Sequence, residues 1–318
     1  MCPRVTCMVH IVEHSLEYLK TDVLDLAYER RGDPGGFPVV LLHGFPYDPR
    51  SFDDAAEELA RNGADVVVPY LRGYGPTRFR SGGTPRSGQQ AALASDLRDL
   101  VDGLQLDAPI IVGFDWGGRA ACAMAALWPH KVGGLVAIGG YSVHDVTRMA
   151  SVPDVPELEA RDWHQWYFQI ERGRAGLHQY RRELARQLWS EWSPGWLVDD
   201  ATFKATATSF DNPDFVDVVV HSYRVRYGLT PGDPAYASLE ETLSMLPLID
   251  VPSIVIDPTN DAVMPPLSRD EHEKHFTRLI DYRRTPVGHN TPQEDPESVV
   301  AAILDLRAVN RAQPGSHD

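Results

Sequence analysis

Short, continuous apolar runs recur along this chain and alternate with amphipathic stretches. Pro38-Val39-Val40-Leu41-Leu42, Val66-Val67-Val68, Ile110-Ile111-Val112 and Leu135-Val136-Ala137-Ile138 are too short for buried helices. They read as strands covered on both faces. Between them, residues 50–61 place Phe52, Ala55, Ala56 and Leu59 at helical spacing. Residues 87–104 and the alanine-rich stretch from Gly117 to Leu127 also read as helices. Two more strands, around Leu16–Lys20 and Val23–Tyr28, precede the turn Asp33-Pro34-Gly35-Gly36. This alternation predicts an α/β fold with a mostly parallel sheet covered by helices on both sides.

The rhythm breaks at Tyr141. From there to about Glu241 the pattern is helical and aromatic, and it holds five tryptophans: Trp163, Trp166, Trp189, Trp192 and Trp196. Strand spacing resumes at Pro252-Ser253-Ile254-Val255-Ile256. It continues through a last strand near Leu279–Arg284 to a helix near Glu297–Leu306. The simplest organisation is a core of residues 1–140 and 242–318 interrupted by a helical insertion at 141–241. The polar tail after Ala308 is expected to be disordered.

Composition adjusts this picture little. The 318 residues are 43% hydrophobic and 24% charged, and carry a formal net charge of -15. Such a charge disfavours nucleic acid and anionic membranes as partners. No apolar stretch approaches the ~20 residues of a membrane span. Met1–Glu13 lacks the pattern of a secretory leader. Cys2, Cys7 and Cys122 make neither a disulfide framework nor a metal motif. A cytoplasmic protein with free thiols and no metal or cofactor is expected.

The chemistry begins at Gly113-Phe114-Asp115-Trp116-Gly117-Gly118, which follows a buried strand and opens a helix. A residue there passes through a sharp turn that lifts one side chain clear of the sheet, and small neighbours let the backbones approach. The raised residue is Asp115, and the chain contains no Gly-x-Ser-x-Gly. A serine needs a base to become nucleophilic. An aspartate, with an ordinary pKa near ~3.9, is already ionised at neutral pH. Its natural targets are strained or activated sp3 carbons, and the product is an alkyl ester that a second residue must hydrolyse.

Three other segments supply partners. In His43-Gly44-Phe45-Pro46 the X-Pro step allows a cis peptide, which would turn the Phe45 N–H toward the site beside the Trp116 N–H as two oxyanion donors. His43 itself reads as structural. His289, in Pro286-Val287-Gly288-His289-Asn290, sits on a loop suited to a general base. Asp261, just past the strand ending at Ile256, is suited to orient its ring; Asp257 is the competitor, closer to the strand end. The order Asp115, Asp261, His289 is the nucleophile–acid–base order of one hydrolase fold. His272 and His275 lie on a polar helix and read as solvated.

Together these segments resemble the α/β-hydrolase superfamily and its epoxide hydrolase branch, over roughly residues 15–307. The marks are His43-Gly44-Phe45-Pro46, Arg72-Gly73-Tyr74-Gly75, the Asp115-Trp116 elbow, Trp166-Tyr167-Phe168-Gln169 and Gly288-His289-Asn290. The resemblance implies an eight-stranded, mostly parallel sheet with a helical cap after the sixth strand. It also implies two cap tyrosines that hold and protonate an epoxide oxygen. Tyr223 matches the second; His164 stands where the first is expected. Trp163, Trp166 and Tyr167 become candidate substrate-binding residues. The partner implied is a small-molecule or natural-product substrate, with a homodimer left open. Three alternatives stay open. One is a haloalkane or haloacid dehalogenase using the same ester, with the Trp116 indole holding halide, although Phe45 stands where many haloalkane dehalogenases carry Asn. Another is a biosynthetic tailoring enzyme opening an epoxide in a bulky intermediate. The third is a non-catalytic ligand receptor on the same fold.

Overall fold

A computed structural model describes residues 15–312 of the chain. The readings for Met1–Glu13, Cys2 and Cys7 lie outside the described residues. The strands are β1 (Ser15–Lys20), β2 (Leu24–Gly32), β3 (Phe37–Leu42), β4 (Ala64–Pro69), β5 (Arg78–Phe79), β6 (Ile110–Gly113), β7 (Gly134–Ile138), β8 (Ser253–Pro258) and β9 (Leu279–Thr285). Eight of them form one sheet in the order β1-β2-β4-β3-β6-β7-β8-β9. Pairing from β4 through to β9 is parallel, and β1 and β2 are antiparallel at one edge. The ninth strand, β5, is a two-residue addition beside β2 that hydrophobic patterning could not reveal.

The central strands are buried along their whole length, as their unbroken Val/Ile/Leu runs require. The flanking core helices are α1 (Asp53–Arg61), α2 (Gln90–Gly103) and α3 (Asp115–Leu127). The predicted helix over 50–61 splits, because Asp48 accepts the Arg50 N–H and tightens Pro49–Phe52 into a 3-10 turn. The helix predicted from residue 87 starts at Gln90, because the Ser87 carbonyl is taken by Arg72.

Seven helices follow β7 before β8 begins: α4 (Val146–Ser151), α5 (Pro156–Arg161), α6 (Trp163–Tyr167), α7 (Glu171–Trp192), α8 (Asp200–Ala207), α9 (Phe215–Arg226) and α10 (Ala237–Ser244). They form a cap inserted in the core. It rests on the loops that leave the carboxyl ends of the strands. Trp189 Nε1 donates to the Pro46 carbonyl at 2.9 Å, Ser209 Oγ to Asp48 at 2.7 Å, and the Ala262 and His289 amides both donate to the Trp192 carbonyl at 3.3 Å. The remaining helices, α11 (Arg269–His272), α12 (Thr291–Glu294) and α13 (Pro296–Ala312), complete the core.

Two expectations are corrected. Residues 309–312 are helical, not a disordered tail, and Asn310 donates to the Gly133 carbonyl at 2.9 Å. His272 and His275 are not solvated. His272 is only 1% exposed because its Nε2 lies 2.9 Å from Asp257, and His275 is half-buried against the Tyr141 ring at 4.3 Å.

The turn into α3 is the most constrained part of the core. Asp115 has φ +51, a left-handed conformation rare for a residue with a side chain. A Cβ on Gly117 would come within 2.0 Å of the Leu42 carbonyl oxygen, and one on Gly113 within 2.3 Å of the Gly117 carbonyl oxygen. Only glycine lets β3, β6 and α3 meet there. Gly117→Ala should therefore lower the unfolding free energy by about 3 kcal/mol or more. Urea denaturation measures this, and an unchanged midpoint would contradict the packing described.

Candidate active site

The elbow lifts Asp115 into a crevice beneath the cap. Its Oδ1 accepts the Phe45 N–H at 2.7 Å, and the Phe45–Pro46 peptide is cis. Its Oδ2 lies 3.7 Å from His289 Nε2, too long for a hydrogen bond but close enough for strong attraction between charges. His289 Nδ1 lies 2.8 Å from Asp261 Oδ2. The other oxygen of Asp261 accepts the Val263 and Met264 amides at 2.7 and 3.1 Å. Asp257, bonded to His272 and to the Leu267 amide, is turned to another task. The structure thus brings Asp115, His289 and Asp261 into one line from three loops distant in sequence.

The charges in this line depend on one another. Burial opposes a proton on His289, but Asp261 and Asp115 outweigh it and push its pKa up to about 10. Burial alone would raise the Asp115 carboxyl; His289, Arg119 and the Phe45 N–H turn it below the usual carboxylate range. At neutral pH the resting site therefore holds an imidazolium between two carboxylates. On the Asp115 side, α3 begins at Asp115 itself, so the amides of Trp116 and Gly117 have no acceptor within the helix. With the Phe45 N–H they form a local positive patch at the crevice floor. His43 is buried nearby and structural: its Nε2 accepts the Leu71 N–H at 3.2 Å, and burial pulls its pKa down to about 4.

The walls are aromatic. Tyr223 on α9 packs its ring 5.5 Å from Phe45 and 5.9 Å from Trp116. His164 on α6 meets Tyr223 edge-on at 5.3 Å and Trp192 at 5.0 Å, and its Nδ1 has no partner among the described residues. Burial, and then the nearby Arg226, pull the His164 pKa down to about 3. His164 is therefore neutral at neutral pH. Burial keeps the Tyr223 hydroxyl protonated far into alkaline pH.

The candidate substrate-binding residues separate. Trp163 borders His164 at 6.1 Å while its Nε1 donates to Glu191. Trp166 is 38% exposed, bonds the Glu159 carbonyl and packs on Tyr227, on the outer side of the cap. Tyr167 places its hydroxyl over Gly176 of α7. Of the five residues of α6 only His164 and Gln165 are buried, and of these His164 packs against Tyr223 and Trp192. Trp192 takes the position that patterning could not single out: it lies 5.1 Å from the His289 ring, fully buried, with an unpartnered Nε1. Its place depends on the pinned end of α7, and nothing in its local sequence distinguishes it from the other cap tryptophans.

Comparison with known proteins supports the fold. The profile of the α/β hydrolase fold matches residues 38–296. A solved Klebsiella pneumoniae structure, provisionally described as an epoxide hydrolase, is 41% identical, with a TM-score of 0.90 over 93% of this chain and 97% of that one. Epoxide hydrolase A of Mycobacterium tuberculosis is 26% identical over 90% of this chain and 95% of its own length. Epoxide hydrolase 2 of Siraitia grosvenorii is 33% identical over 135 residues. That match spans 42% of this chain and 41% of the relative's length.

The neutral, buried His164 has a consequence for pH. A histidine whose folded pKa lies below its ordinary value contributes stability above about pH 6.5 and loses it as pH falls toward the folded value. Each such group gives a slope of up to ~1.4 kcal/mol per pH unit in that window. His164→Phe should flatten the stability-versus-pH curve between pH 6 and 4 by about that amount, with His43 and His144 leaving a residual slope. Chemical denaturation at several pH values checks this, and an unchanged slope contradicts it.

Proposed function

Starting from a chain that belongs to the α/β-hydrolase fold family, and within it to the epoxide-hydrolase-like branch, we propose that Asp115 opens epoxides by covalent catalysis. The observation that carries this reading is an ionised carboxylate on a left-handed elbow, bonded to the Phe45 N–H and facing a His289–Asp261 pair. In the first step an Asp115 oxygen attacks a ring carbon and the carbon–oxygen bond breaks. The Tyr223 hydroxyl gives its proton to the departing oxygen, with neutral His164 as a second hydrogen-bonding group. A protonated tyrosine suits this role, since it yields its proton only as the oxygen becomes a strong base.

Ester formation removes the charge of Asp115 from beside His289. One of the two carboxylates that hold the imidazolium proton is gone, so His289 becomes a better base once the ester exists. Its proton passes to the tyrosinate left at Tyr223, and neutral His289 then takes a proton from water attacking the ester carbonyl. The Phe45 and Trp116 amides stabilise the tetrahedral oxyanion. Collapse releases a diol and restores the Asp115–His289 ion pair. All these groups come from one chain, so a homodimer would carry two independent sites. The free, buried thiol of Cys122 fits a cytoplasmic setting, and among the described residues no helix is long and apolar enough to cross a membrane.

His289→Gln should stall at the ester. Incubated with an aryl epoxide, its intact mass should rise by one epoxide, with turnover reduced about 10³-fold or more. Asp115→Asn should gain no mass. Absence of an adduct with every epoxide tested would count against the covalent reading. One observation favours a second reading, dehalogenation: the indole Nε1 atoms of Trp116 and Trp192 are buried and unpartnered, suited to a leaving halide. Halide release from haloalkanes, in place of epoxide turnover, would select it.

A further inference from the structure

The loop that carries His289 is gripped from two sides. Its carbonyls face the core: the Val287 carbonyl accepts the Asn260 N–H at 3.0 Å, and the Pro286 carbonyl accepts the Asn260 side-chain amide at 2.8 Å. Its amides face the end of α7. The His289 N–H donates to the Trp192 carbonyl at 3.3 Å, and the Asn290 N–H to Ser193 Oγ at 3.4 Å. The Gly288 N–H donates to Glu294 Oε2 at 2.9 Å, and Glu294 Oε1 accepts the Ser193 hydroxyl at 2.7 Å. Consecutive amides around the base therefore end on Trp192, on Ser193, or on a carboxylate that Ser193 holds.

Local sequence prepares this contact. Pro194 disfavours helical backbone at Ser193, which takes φ -128 and ψ 65 and closes α7. Ser193 is 1% exposed, so its hydroxyl needs a partner, and Glu294 supplies one. Gly288 lets the loop come against it: a Cβ there would lie 2.5 Å from both the Cα and the Oγ of Ser193. Both oxygens of Glu294 are occupied, which suits a clamp and not a proton carrier. The proton on His289 is governed instead by Asp261 and Asp115. Glu294 reaches His289 through the backbone.

We propose that Ser193 and Glu294 form a positioning pair through which the cap holds His289 in place for hydrolysis of the ester. This role rests on the covalent reading above and concerns its second half. Ester formation draws on Asp115, held by the Phe45 N–H of the core, and on Tyr223 of α9. Ester hydrolysis needs His289 Nε2 within hydrogen-bond reach of a water aimed at the Asp115 carbonyl carbon, and a misplacement near ~1 Å costs about 10²-fold. Loosening the loop therefore slows the second step and spares the first.

The test follows the adduct by rapid-quench intact mass, with full-length protein and an aryl epoxide. Ser193→Ala and Glu294→Met should form the adduct at a rate within about twofold of the wild type and clear it about tenfold more slowly. kcat and KM should fall together, because the ester accumulates; a misfolded fraction would lower kcat alone. Glu294→Gln, which keeps an oxygen for the Gly288 N–H, should recover most of the clearance rate. If Glu294→Met fails to fold, Ser193→Ala alone carries the test. Adducts that clear at the wild-type rate in these variants, or that form as slowly as they clear, overturn the positioning role and leave the covalent reading standing. No adduct in His289→Gln with any epoxide overturns the covalent reading and the positioning role with it.

Discussion

The molecule is organised around a carboxylate that is buried and must stay charged. An unpaired ion in such a crevice would be expelled or neutralised, because removal from water costs several kcal/mol. Asp115 avoids this through one backbone N–H and one imidazolium, delivered by the loops after β3 and β9. His289 in turn is charged because Asp261, on the loop after β8, and Asp115 face its two nitrogens. The three strands are not all neighbours, so the parallel register across β3, β6, β7, β8 and β9 is what brings these loops to one place. The glycines at 113 and 117 serve the same end, letting the elbow pass close enough to β3 for Asp115 to reach Phe45.

The cap completes the environment and does so through the same loops. The end of α7 is fastened to the His289 and Ala262 amides, and Trp189 to the Pro46 carbonyl, so the cap and the loops that carry Phe45, Asp261 and His289 position each other. Trp192, Tyr223, His164 and Phe45 then enclose Asp115 in aromatic surface. Exclusion of water strengthens each electrostatic contact inside. It also keeps His164 neutral and Tyr223 protonated, which sets what each can donate.

Much of this was legible in the sequence, for identifiable reasons. Buried parallel strands leave unbroken apolar runs, so β3, β4, β6, β7 and β8 were visible, and an aspartate between glycines at a strand-to-helix junction marks an elbow. The preference for Asp261 over Asp257 followed from the distance past the strand end, and Asp261 is the carboxylate that lies beside His289, while Asp257 lies beside His272. What stayed hidden depends on long-range partners. The burial of His272 requires Asp257 from another element, and Trp192 acquires its place from hydrogen bonds that no local pattern encodes. Trp166 looked equivalent to its neighbours until the short α6 turned it outward. The Ser193–Glu294 pair was invisible because its members are 101 residues apart and meet only when cap and core dock.

The central claim is that Asp115 itself, and not water, attacks the substrate. Oxygen labelling tests it most directly, in a single turnover with enzyme in excess over an epoxide in water enriched in oxygen-18. The account predicts that the first diol carries unlabelled oxygen taken from Asp115, while the peptide containing Asp115 gains one heavy oxygen. A diol labelled in its first turnover, with an unlabelled Asp115 peptide, would contradict it.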